Sequence, residues 1–86
     1  MIKLNEEELR QISSGMSERE DEIFTTLLSK LNGFFLRHIA DQDHQAYYLA
    51  NVQMLEEFRN AEIPQPYKDK CIHDIEEEIA RVKALL

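Results

Sequence analysis

The chain has 86 residues, 17 Asp and Glu against 10 Lys and Arg for a net charge of −7, and 43% hydrophobic and 31% charged residues, with two Gly, two Pro and one Cys. That length fits one domain with little apolar surface to spare, and that composition favours long helices over strands and loops. The acidic balance argues against a nucleic-acid binder, whose affinity comes from a basic surface, and against a protein of acidic membranes, while Cys71 alone cannot build a disulfide framework.

The first apolar run is too short and too acidic for a secretory signal peptide, and 23–40 is interrupted by Ser29, Lys30, Asn32 and Arg37, too polar to span a bilayer. The expectation is a cytoplasmic protein with no membrane segment and no cofactor.

In chain order, a short helix is predicted over 5–13, with Asn5 as cap, Glu8 three residues later, and Leu4 able to staple onto Leu9. Ser13, Ser14 and Gly15 end it. Leu4, Glu8, Leu9, Ile12 and Gly15 also match the spacing L-x3-E-L-x2-I-x-G-G, with Ser14 in place of the first Gly. That stretch resembles the double-glycine leaders of exported bacterial peptides, and the resemblance implies cleavage after Gly15. The remainder of the chain is long, acidic and Gly-poor, unlike a bacteriocin, so the pattern is read as an amphipathic capped helix.

Ser17 and Glu20 form a second capping box, and Glu18, Glu20, Asp21 and Glu22 place negative charge where a helix dipole favours it. The helix expected from there covers 17–40. Ile23, Phe24, Leu27, Leu28, Leu31, Phe34, Phe35 and Ile39 fall on one arc at 100° per residue, and 23–39 holds neither Asp nor Glu. It is read as the core helix. Gly33 is read through because the arc keeps phase across it, and a Gly there would let a neighbouring helix approach closely.

Asp41, Gln42 and Asp43 break the pattern and cap a further helix over 43–62, whose short connection implies an antiparallel neighbour. Its apolar arc is wide, taking in Tyr47, Tyr48, Ala50, Val52, Met54, Leu55, Phe58 and Ala61, with Asn51 inside it. Ile63-Pro64-Gln65-Pro66 stops that helix, and the last one is predicted over 66–86. There Ile72, Ile75, Ile79, Val82 and Leu86 recur as an a/d stripe flanked by Asp74, Glu76, Glu77, Glu78, Arg81 and Lys83. The fold class is therefore all-α: a single domain over 1–86, a small antiparallel helical bundle of three main helices plus the short N-terminal one.

No catalytic signature emerges. Ser13, Ser14, Ser17 and Ser29 lack a matching His and acid arrangement, and Cys71 sits at the edge of the stripe, where a thiol is usually packing. His38 lies within the apolar arc of its helix, and His38, Asp41 and His44 fall close together if the hairpin forms. Imidazole and carboxylate suit zinc or iron, with Cys71 or His73 as a conceivable fourth ligand, although the spacing matches no specific site. This ligand- or metal-binding bundle is the alternative reading.

The first reading is a non-enzymatic protein-interaction module: a regulator, inhibitor, immunity-type factor or adaptor that docks a helical surface on a partner protein. Leu36 and Leu49 point away from the main arcs of their helices, and with Tyr47, Tyr48, Asn51, Ile72, Ile79 and Val82 they are the predicted partner-binding residues. A bundle this small has difficulty covering every apolar stripe, so a homodimer is expected, with Asn51 setting its register.

Overall fold

The computed structural model describes residues 15–86, so the helix expected over 5–13 and the leader-like pattern, apart from its final Gly15, lie outside the described residues. Those residues form an all-helical bundle without strands: α1 (Glu18–Asp41), α2 (His44–Arg59) and α3 (Gln65–Lys83).

The start of α1 is the capping box read from the sequence. Ser17 Oγ accepts from the Glu20 N–H at 3.2 Å, and Glu20 Oε1 accepts from the Ser17 N–H at 2.9 Å. These bonds satisfy two donors a helix N-terminus otherwise leaves open, and they lower the pKa of the Glu20 carboxyl. The helix runs unbroken through Gly33, but no neighbouring helix comes close there: a methyl group added at Gly33 would meet nothing within 4 Å. It closes at Gln42, which takes the left-handed conformation at φ 55° and sends its N–H back to the His38 carbonyl at 2.9 Å. Asp43 then caps α2 by accepting from the Ala46 N–H at 3.1 Å.

Helix α2 ends at Arg59, short of the expected residue 62. Beyond it the Ala61 N–H bonds to the Phe58 carbonyl, the chain leaves the helix, and Ile63 enters the core. Pro64 disfavours helical geometry at Ile63, so the expected stop is real, but its apolar residue is packed instead of merely breaking the helix. Helix α3 starts at Gln65, one residue ahead of the expectation, with Pro66 in its first turn where no N–H partner is lost. It ends at Lys83, which leaves Leu85 and Leu86 exposed beyond it.

Helix α2 packs extensively against both of the others. Along α1 and α2 the partners run in opposite senses: Arg19 meets Glu62, Lys30 meets Glu57, Phe35 meets Tyr47 and His38 meets His44. Along α2 and α3, Tyr47 reaches Glu78 while Lys68 reaches the Arg59 carbonyl. The core is formed by Phe24, Leu27 and Leu31 of α1, Met54 and Phe58 of α2, Ile63, and Cys71 and Ile75 of α3.

Two expected stripes are corrected by this packing. On α1, Phe24, Leu27 and Leu31 are buried, Ile23, Leu28, Phe34 and Phe35 only partly, and Ile39 is 54% exposed. Ile39 lies about 80° around the helix from Leu31, past the strip that α2 covers. On α3 the buried line is Cys71, Ile75, Glu78 and Val82, with Ile72 and Ile79 on its rim and Leu86 outside it. Both lines share Ile75 and Val82, and the choice between them turns on whether Glu78 finds partners inside.

Among the described residues no helix is long and apolar enough to cross a membrane.

Candidate functional site

Glu78 does find them. Tyr47 of α2 donates its hydroxyl to Glu78 Oε2 at 2.8 Å, and Arg81, one turn along α3, donates Nε to Glu78 Oε1. Tyr47 and Glu78 are both buried, while the Arg81 side chain stays half in solvent. Burial opposes ionisation of the Glu78 carboxyl, but hydrogen bonding, with the bond from Arg81 foremost and that from Tyr47 contributing, prevails and holds its pKa down at about 2. Burial, and then the bond to Glu78, push the Tyr47 hydroxyl well above its ordinary value. Tyr47 is thus a fixed donor and Glu78 a fixed anion. Neither is poised near neutrality, as a general acid or base needs to be.

The Tyr47 ring extends this network to the hairpin end. His38 stacks on it, centroids 4.1 Å apart and planes 6° from parallel, and Phe35 approaches it at 6.4 Å and 56°. His38 Nε2 lies 2.8 Å from His44 Nδ1, so one imidazole supplies the proton and the other the lone pair. A cavity of about 250 Å³ opens beside His38, lined also by Phe34, Arg37, Asp41, Asp43 and Tyr47 among others. Asp41 is paired with Arg37 at 3.3 Å.

Asn51 lies one turn beyond Tyr47 and is fully buried. Its amide donates to the Tyr47 carbonyl at 2.9 Å, and its Oδ1 has no hydrogen-bond partner among the described residues.

The structure therefore brings His38 and His44 together and puts Asp41 on the wall of the adjacent cavity. Cys71 does not join them. It lies in the apolar core, where burial, helped by the charge of Asp74, pushes its thiol up to about 12, so it remains a protonated packing group. Nor does His73 join the pair: its side chain is 71% exposed on α3, where His73, Asp74 and Glu77 offer ligand atoms within 4.8 Å of one another.

Of the predicted docking residues, Leu36 and Leu49 are 59% and 56% exposed. Tyr48, Ile72 and Ile79 are partly buried, and Tyr47, Asn51 and Val82 are enclosed within the chain. Sequence reasoning passed over Glu78 and Arg81. The available signal was phase: Glu78 occupies the same side of α3 as Ile75 and Val82, an acidic residue at a core position.

Comparison with protein-family models, with curated proteins and with solved structures finds no match to this chain.

Proposed function

We propose that this chain is a non-enzymatic, cytoplasmic, acidic interaction module whose antiparallel helices present an apolar surface to a partner protein. The observation that carries the reading is the exposure of Leu36, Ile39, Leu49 and Val52 on α1 and α2. Isolated exposed leucines are ordinary on a protein surface, but here they come in pairs at i, i+3 spacing, Leu36 with Ile39 and Leu49 with Val52, as anchors for a docked helix do. Tyr48, Ile72 and Ile79 add partly buried apolar edges. The opposed sense of the Arg19–Glu62, Lys30–Glu57 and Phe35–Tyr47 contacts supports the antiparallel arrangement.

The reading keeps Leu36, Leu49, Tyr48, Ile72 and Ile79 of the expected docking residues and adds Ile39 and Val52 to them. Tyr47, Asn51 and Val82 serve the interior, so Asn51 is not available to set the register of a dimer. A regulator, inhibitor, immunity-type factor or adaptor acts through such a surface without chemistry of its own, and the net charge of −7 argues against a nucleic-acid partner.

Self-association as a homodimer is the first expression of this surface to test. Light scattering over a concentration series is expected to give a dimer mass for the native chain and a monomer mass for Leu36→Glu with Leu49→Glu. A monomer mass for the native chain at high micromolar concentration excludes the homodimer. Capture from the native host with native chain and double variant in parallel then tests the same surface against other proteins.

A further inference from the structure

The two residues between α1 and α2 do more than connect helices. With Gln42 left-handed at φ 55° and Asp43 capping α2, the last turn of α1 and the first turn of α2 are folded against each other, and His38 and His44 meet nitrogen to nitrogen at 2.8 Å. The two rings come from different helices and meet close to edge-on, at 61°. Two imidazoles held this way share one proton, and the lone pair that accepts it is the one a metal ion would take.

We infer that His38 and His44, with the carboxylate of Asp41, bind a divalent transition ion of the zinc class. Zinc-bound imidazole nitrogens lie about 2.0–2.1 Å from the ion, so two of them on a tetrahedral centre are roughly 3.3 Å apart. The observed separation needs to open by about half an ångström, within reach of small ring rotations. Stacking on Tyr47 holds the His38 ring in place while it does so, as an outer-shell neighbour commonly orients a ligating histidine.

The oxygen ligand has to swing in, since the trio whose ligand atoms already lie within 4.8 Å of one another is His73, Asp74 and Glu77. Asp41 and Asp43 both line the cavity beside His38, but Asp43 is committed to the Ala46 N–H as the cap of α2. Asp41 is held by Arg37 at 3.3 Å in a pair more than half exposed, and such pairs contribute about 0–1 kcal/mol, so its release costs little. Water entering through the cavity completes a four-coordinate site. Asp41 turned from Arg37 to the ion neutralises one of its two charges, and two neutral imidazoles leave the remaining charge spread over a borderline-soft set, which favours zinc over magnesium or calcium.

The rival is His73 with Asp74 and Glu77. These lie on one helix, and His73 and Glu77 are exposed. The two sites share no residue, so substitution separates them.

Zinc chloride titrated into chelator-treated full-length protein, followed by calorimetry, is expected to show one ion per chain. Uptake is expected to be lost in His38→Gln and in His44→Gln, weakened in Asp41→Asn, and unchanged in His73→Gln, with circular dichroism confirming that each variant is folded. A readout that needs no variant is the electron paramagnetic resonance spectrum of Cu²⁺ bound to the native chain, expected to show coupling to two imidazole nitrogens. The inference is overturned by the absence of stoichiometric uptake, by uptake that survives both His38→Gln and His44→Gln, by loss on His73→Gln, or by a copper spectrum with fewer than two nitrogens. Unchanged affinity in Asp41→Asn removes Asp41 from the ligand set.

Discussion

The two ends of the bundle are buried to similar depth by different means. At one end Phe24, Leu27, Leu31, Met54, Phe58, Ile63, Cys71 and Ile75 exclude water by apolar area alone. At the other, Tyr47, Asn51 and Glu78 are as thoroughly enclosed, yet each carries a polar group, and His38 and Arg81 finish the network at its edge. Apolar burial is non-directional and tolerates small shifts, whereas a buried carboxylate is stable only while its donors stay in place. The first end therefore supplies stability, and the second is where a small displacement changes chemistry. It is also the end where the candidate ion site lies.

The most direct way to break the comparison is to cut into the apolar end. Phe58→Ala is expected to cost about 3–5 kcal/mol and Leu31→Ala about 2–5 kcal/mol, read by urea denaturation, because both side chains are almost wholly buried in the cluster. Phe34→Ala, at a partly buried rim position, is expected to cost less than either. A loss under about 0.5 kcal/mol at Leu31, within the range of ordinary surface substitutions, would show that α1 does not form the core.

At the polar end, Tyr47→Phe keeps the ring and removes one donor from Glu78. The expected cost is about 1.5–3 kcal/mol, that of a hydrogen bond to a charged group. Adding Glu78→Leu to that variant is expected to recover part of the loss, since a buried ion pair replaced by apolar groups of like volume is often neutral or better. Additive losses in the two variants would mean that the network is not a unit.

Acid sharpens the contrast further. The Glu78 carboxyl sits at about 2 in the fold against an ordinary 4.5, so the folded state binds fewer protons than the unfolded one between those values. Its contribution is fully present above about pH 4.5 and is lost as pH falls towards 2. Glu78→Gln should flatten that part of the stability–pH curve, measured by denaturant midpoints, while Leu31→Ala lowers the curve without changing its slope there.

The smallest effect lies between the two ends. Gly33 is helical, faces open space and separates Leu31 from His38, so Gly33→Ala should stabilise by about 1 kcal/mol at most through helix propensity, raising Tm. A loss of stability instead would mean that α1 needs a flexible point between the ends.

How much was legible tracks the same division. The capping box at Ser17 and Glu20, the break at Asp41–Asp43 and the stop before Pro64 are local chemistry, written in neighbouring residues. The closeness of His38 and His44 followed from the hairpin. Glu78 did not, because its burial depends on Tyr47, 31 positions away in the chain, and an acidic residue without a visible partner reads as solvated. The α3 stripe slipped by one position for the same reason, since two sets of residues at helical spacing differ only in whether Cys71 and Glu78 or Ile72 and Ile79 face inward.

By itself, then, the sequence determined the all-helical character of the described residues, the start of α1, the break between α1 and α2, the stop before Pro64, and the central part of α1 as a core face. Those depend on hydrogen bonds, caps and periodicity within a few residues of each other. Only the tertiary structure decided which side of α3 turns inward, that Ile39 stays outside, and that Tyr47, Glu78 and Arg81 form one network. These depend on which partner a side chain meets across helices, and a buried charge in particular has its energy set almost wholly by that partner.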